Sequence, residues 1–183
     1  MCANPAIERT IDPTPRMPVL EPFSIECTSH SEEQTHRLGM RLGALLPRHA
    51  VVTLQGPLGA GKTSFARGIG AGWGANQPLR SPTFTLVQEH HRRKDDAALY
   101  HIDLYRVENE DDLASLGLRE ILEDEHSACV IEWPERAAGL IPQDAIRVLI
   151  EPVSDTRRQL ILRTQAAQTW QVLLAFRKSA FGV

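Results

Sequence analysis

Ala50-Val51-Val52-Thr53-Leu54-Gln55-Gly56-Pro57-Leu58-Gly59-Ala60-Gly61-Lys62-Thr63-Ser64 is the stretch whose reading decides the fold. Its first five residues are an apolar run of buried parallel-strand type, and no proline follows Thr63 until Pro78. Between strand and helix lies an ungapped G-x-x-x-x-G-K-[ST] run, the phosphate-binding loop. Each residue type in it meets a separate demand of a triphosphate. Gly56, Gly59 and Gly61 permit the φ values and close backbone approach that let successive N–H groups converge on phosphate oxygens, with Pro57, Leu58 and Ala60 as the intervening cradle positions. Lys62 offers an ammonium to the β- and γ-phosphates, and Thr63 offers a hydroxyl to Mg²⁺. The helix N-terminus adds its partial positive charge to the same anion. A strand, loop and helix of this kind predicts an α/β fold of the P-loop NTPase type.

The rest of the chain bounds what surrounds that unit. At 183 residues it suits a single domain with a substantial core. Hydrophobic residues make up 42% and charged residues 23%, the balance of a globular protein rather than a disordered one. No apolar run approaches the roughly 20 residues that span a bilayer. Pro5, Pro13, Pro15 and Pro18 stand where a signal peptide needs an apolar core, so no membrane partner and a cytoplasmic location are expected. Cys2, Cys27 and Cys129 form no C-x-x-C pair, which suggests neither zinc nor a disulfide framework. A net charge of −3 gives no global attraction to nucleic acid.

Outward from the loop, residues 1–21 read as a proline-rich flexible extension and residues 22–183 as one domain. Phe23 to Cys27 alternates like a strand. Ser31 and Gln34 form a capping box ahead of a leucine stripe, Leu38, Leu42, Leu45 and Leu46. The helix after the loop holds Gly68, Gly70 and Gly72, each unfavourable by about 1 kcal/mol against alanine, and is expected to end near Trp73 or Gly74. Phe84 to Glu89 and Leu99 to Asp103 predict a hairpin across the charged turn His91 to Asp96. The cationic run His90 to Lys94 reads as its solvated tip rather than an RNA patch. Asn109 predicts a capped helix through Leu116, and Ala128 to Ile131 a buried strand. Pro134 suits the first residue of a helical turn. Ile146, Val148 and Ile150, a turn at 154–156, and Leu160 with Leu162 predict a C-terminal antiparallel hairpin; Trp170, Leu173 and Leu174 predict a closing helix. The expected whole is a mixed sheet with flanking helices.

A phosphate loop needs a carboxylate for the metal at the end of a neighbouring strand. Glu132, ending the most apolar strand, and Asp103, ending Leu99 to Ile102, both qualify.

Taken together, the phosphate loop, Ser81-Pro82-Thr83-Phe84-Thr85-Leu86-Val87, His101-Ile102-Asp103-Leu104-Tyr105-Arg106 and Ile131-Glu132-Trp133-Pro134 resemble, in order, the motifs of the TsaE (YjeE) family, over about Ser31 to Leu162. That resemblance implies a small ATPase of tRNA threonylcarbamoyladenosine biosynthesis, using ATP and Mg²⁺, with TsaB and TsaD proteins as partners and tRNA reached through their complex. It implies Lys62 on phosphate, Thr63 and Glu132 on Mg²⁺, and Trp133 against the adenine. Thr83 corresponds to a switch threonine near the γ-phosphate, and Asp103 to the aspartate that orients water or supports the metal shell. Glu32, Ser64, Glu135, Thr156 and Arg157 complete the expected nucleotide contacts. Arg106 is a local candidate for balancing γ-phosphate charge. Pro57 departs from the aspartate frequent in the family and stiffens the loop without removing a donor that binding needs. A small-molecule kinase shares the loop but calls for an acceptor pocket and an arginine-rich lid, which the sequence does not display; a non-hydrolysing nucleotide-gated binding module is the third reading.

Overall fold

The computed structural model describes residues 23–80, 86–92, 94–95 and 97–183. Among them, in chain order, are β1 (Ser24–Ser29), α1 (Glu32–Gly43), β2 (Val51–Gln55), α2 (Lys62–Trp73), β3 (Val87–His91), β4 (Ala98–Asp103), α3 (Glu110–Ser115), α4 (Leu118–Glu123), β5 (Ser127–Glu132), a 3₁₀ turn (Pro134–Ala137), β6 (Ile146–Pro152), β7 (Arg158–Arg163) and α5 (Ala167–Phe181). The expected extension 1–21 and the Ser81 to Thr85 segment lie outside the described residues.

The seven strands form one sheet in the order β1-β7-β6-β2-β5-β4-β3. Its centre, β6-β2-β5-β4, is parallel, while β3 and the β7–β1 pair close the two sides antiparallel. A strand covered on both faces reads as a continuous apolar run, and every residue of β5 is buried. One face packs Val52, Leu54, Val130 and Val148 against Leu38 and Leu42 of α1, Phe65 and Ile69 of α2, and Leu173 and Phe176 of α5. On the other, Val51, Ile102, Cys129 and Ile131 meet Leu118 of α4, with Leu113 of α3 packed alongside. The sheet's C-terminal edge, which carries the loop after β2, is thereby held from both sides.

Local signals explain most boundaries. Ser31 Oγ accepts from Gln34 N at 3.1 Å to start α1, and Gln34 Oε1 reaches back to His30 N at 2.8 Å, one residue beyond the usual capping-box donor. Asn109 caps α3 through Asp112 N at 2.9 Å. Gly74, with φ 91, ends α2 where expected. The glycines inside α2 belong to its packing on α1: a Cβ at Gly68 would meet His36 O at 2.1 Å and one at Gly72 would meet Met40 O at 1.9 Å. Gly39 and Gly43 of α1 present equally close approaches to Phe65 O and Ile69 O. The two helices touch backbone to backbone.

Two boundaries differ from expectation. β3 runs from Val87 to His91, because Leu86 adopts φ 57, which no strand residue does. α4 was not expected; Gly117, with φ 61, separates it from α3, and the i, i+3, i+4 spacing of Leu118, Ile121 and Leu122 is its signal. No helix among the described residues is long and apolar enough to cross a membrane.

Candidate nucleotide site

β2 ends at Gln55, and the chain turns at once through Gly56, whose φ of 145 and 2.2 Å Cβ clearance to Ile150 O admit no side chain. Gly59 and Gly61, at φ 76 and 103, complete the curl into α2. No side chain caps the α2 N-terminus, so the first-turn N–H groups remain available to an external anion. Lys62 folds back over the loop, donating from Nζ to Gly56 O at 2.7 Å and Pro57 O at 2.9 Å. Burial pushes its ammonium below the usual lysine range, and Glu132, Asp103 and Glu135 pull it back up.

Beside the loop a cavity of about 580 Å³ opens at the C-terminal edge of the sheet, where ligands of open α/β sheets bind. Leu58 through Ser64 line it, as do Glu32, Asp103, Glu132 and Trp133. The parallel pairing of β4 with β5 sets Asp103 directly opposite Glu132, which brings the two candidate carboxylates to one edge. Thr63 Oγ1 donates to Glu132 Oε2 at 3.0 Å. Asp103 Oδ1 accepts from Tyr105 N at 3.0 Å, yet burial, the largest influence, pushes its carboxyl above the usual aspartate range, with Glu132 adding to the rise. Ser64 Oγ donates to Glu32 O at 3.3 Å and ties the start of α1 to the start of α2.

These oxygens suit Mg²⁺. A hydroxyl that sends its proton to Glu132 keeps its lone pairs for a cation, and hard oxygen donors are what Mg²⁺ takes. Among the described residues no group of three His, Cys, Asp or Glu side chains could hold a metal alone.

Other expected residues are not among those that line this cavity. Thr83 lies outside the described residues. Gly56 and Pro57 contribute carbonyls to Lys62 rather than cavity wall. Glu135 lines a second cavity of about 370 Å³ with Arg147 and Arg163, because the 3₁₀ turn carries it past the sheet edge. Thr156 and Arg157 are exposed at the β6–β7 tip, and the residue that reaches the loop is Arg158. Its Nε donates to Ala60 O at 3.1 Å, and Nη1 gathers the carbonyls of Ser154, Asp155 and Arg157. The signal was strand alternation: Arg158 shares the parity of Leu160 and Leu162, which face the helices. Thr35 and Arg67 also line the cavity and were not singled out from sequence.

Trp133, expected at the adenine, lines the cavity and packs over the loop lysine. It adopts φ 60, ψ 51, a costly backbone state for a bulky residue, and its indole lies 3.9 Å from Lys62 Nζ, against Tyr105 at 4.9 Å between ring centroids.

With that geometry in place, comparison with known proteins is specific. The family model described as "Threonylcarbamoyl adenosine biosynthesis protein TsaE" matches residues 29–160. A Treponema pallidum protein named "tRNA threonylcarbamoyladenosine biosynthesis protein TsaE" is 38% identical over 136 residues, 74% of this chain and 98% of that protein. A Bacillus subtilis protein of the same name is 34% identical over 128 residues, 70% of this chain and 78% of its own length. Another of that name, from Mycobacterium bovis, is 42% identical over 134 residues, 68% of this chain and 79% of its own. The crystal structure of Bacillus subtilis YdiB superposes with a TM-score of 0.70 at 25% identity, covering 85% of this chain and 95% of that one.

Proposed function

The chain belongs to the TsaE family, and from that premise we propose that it is a Mg²⁺-dependent ATPase serving threonylcarbamoyladenosine formation in tRNA, acting in the cytoplasm on a complex of TsaB and TsaD proteins. The observation that carries the reading is the Thr63 Oγ1 to Glu132 Oε2 hydrogen bond, 3.0 Å long, at the mouth of a phosphate loop whose lysine is 5% exposed. A loop alone serves any nucleotide protein, but a loop hydroxyl already paired with a buried strand-end carboxylate is a half-built hard-cation site.

The residues divide the work of phosphoryl transfer by position. The α2 N-terminus and loop amides hold the phosphate chain, and Lys62 balances charge on its terminal groups. Thr63 and Glu132 would hold Mg²⁺, which would supply charge neutralisation to the phosphates. Asp103, the second carboxylate at the same edge and the one burial has pushed up, orients the attacking water. Thr83 is proposed as the switch threonine and Arg106 as a local source of positive charge. Arg158 holds the β6–β7 tip against Ala60 and so keeps the loop in its curl. With chemistry limited to positioning and charge balance, turnover is expected to be slow until the partner proteins complete the site.

Lys62→Ala and Glu132→Ala, assayed for phosphate release from ATP with TsaB, TsaD and tRNA present, are expected to abolish turnover. Wild-type rates in both variants would sink the assignment.

A further inference from the structure

Glu132 has both oxygens engaged: Oε2 accepts from Thr63, and Oε1 lies 2.9 Å from Nε2 of His101. His101 is wholly buried in β4, and Glu132 is 2% exposed. The other ring nitrogen, Nδ1, lies 3.1 Å from the carbonyl oxygen of Arg80. A carbonyl only accepts, so Nδ1–H donates to Arg80 O, and the 2.9 Å contact between Nε2 and Oε1 is a second hydrogen bond with one proton held between the ring nitrogen and the carboxyl. With an acceptor on each side, a ring flip would break both contacts. Packing alone does not call for this arrangement, since a buried polar pair is weak support for stability and an apolar side chain fills such a strand position at least as well.

We propose that His101 is the positioning residue of Glu132: anchored on the Arg80 carbonyl, it holds Oε1 and so keeps Oε2 turned to Thr63 and the nucleotide cavity. This rests on the reading of Glu132 as the metal-side carboxylate. The motif that contains His101 braces the neighbouring residue too, because Tyr105 packs on Trp133. One strand-and-turn segment thus orients both members of the Glu132-Trp133 pair, on the strand that lies beside it in the sheet. Outer partners of this kind fix a ligand's orientation before the cation arrives.

Two substitutions separate the ring's halves. Glutamine places an amide donor near the position of Nε2, and asparagine places one near Nδ1. The affinity of the full chain for ADP is measured by titration calorimetry in Mg²⁺ and in EDTA, and the readout is the ratio of the two. His101→Asn and His101→Ala are expected to lower that ratio about tenfold to a hundredfold, while His101→Gln holds it within about threefold of wild type. The proposal is overturned if His101→Asn keeps the wild-type ratio, or if the glutamine and asparagine variants fall equally. Thermal melts run alongside: a drop in Tm with an unchanged ratio is the signature of a purely structural histidine and also overturns it. The glutamine and asparagine pair decides the matter even if the alanine variant does not fold. A wild-type ratio near one would instead remove the metal reading of Glu132 itself, and needs no variant to detect.

Discussion

Gly68→Ala sets helix propensity against tertiary packing with opposite signs. In the middle of α2, alanine is favoured over glycine by about 1 kcal/mol, so the helix considered alone would gain stability. The structure gives the reverse. An added Cβ would sit 2.1 Å from His36 O, against the 3.4 Å at which ordinary contact begins. The obstacle is backbone of α1, which cannot rotate aside as a side chain would, so α1 and α2 must part by on the order of 1 Å. A gap of that size forfeits a quarter to a half of each dispersion contact, and forced overpacking costs about 1–3 kcal/mol. Set against the propensity gain the overpacking leaves about 0–2 kcal/mol, and the forfeited dispersion contacts add to it, so the net expectation is destabilisation of up to about 2 kcal/mol, or a fall in Tm of up to roughly 8 °C for a chain of this size. Gly72→Ala, facing Met40 O at 1.9 Å, should behave alike. The damage reaches the site, because Glu32 and Thr35 of α1 line the cavity and Ser64 bonds Glu32 O; nucleotide affinity should fall with stability. Urea and thermal denaturation read the first effect and nucleotide titration the second. Gly139→Ala, with no heavy atom within 4 Å of its added Cβ, is the control and should lose nothing. A Gly68→Ala protein as stable as wild type, or more so, would refute the backbone-contact reasoning.

Two further expectations concern charge. Asp95 accepts from Arg92 at 2.8 and 2.7 Å and from Arg48 at 2.9 Å, and these guanidinium groups, Arg92 foremost, draw its carboxyl down to about 2. A lowered folded value means stability present above the unfolded pKa near 4 and lost as pH falls towards about 2. Asp95→Asn should therefore lower the denaturation midpoint at pH 6, with the gap to wild type closing between those values; a gap independent of pH would refute the pairing. For Asp103 the sign inverts: burial raises its folded pKa, so ionisation costs stability as pH rises past the unfolded value near 4. Asp103→Asn should be at least as stable as wild type at neutral pH, with the difference shrinking in acid, while ATP turnover falls; a destabilised variant that keeps its turnover would contradict both parts.

Much of the architecture was legible because its causes are local. The loop glycines, the alternation of Ile146, Val148 and Ile150, the Ser31 and Asn109 caps and the apolar run before Glu132 each act within a few residues, and each produced its element. Reading failed where a neighbour decides. Leu86 turns out of the strand that its composition suggested. The α2 glycines looked like weak points until α1 lay across them. Arg157 and Arg158 are chemically identical in the chain, and only the register of β7 sends the second towards Ala60. The contact of Trp133 with Lys62 is likewise a product of its left-handed backbone, which no local pattern announced.

Sequence by itself determined the strand, loop and helix at Val51 to Trp73 and the two carboxylates at strand ends, since φ preference, side-chain period and capping depend on nearby residues alone. Only the tertiary structure decided that those carboxylates stand side by side, that His101 holds one of them, and that Thr63 is already bonded to it. The physical reason is that sheet order is a long-range choice: β4 and β5 are separated in the chain by two helices, and which strand lies beside which is set by how both faces of the sheet are covered, a property no single stretch of residues contains.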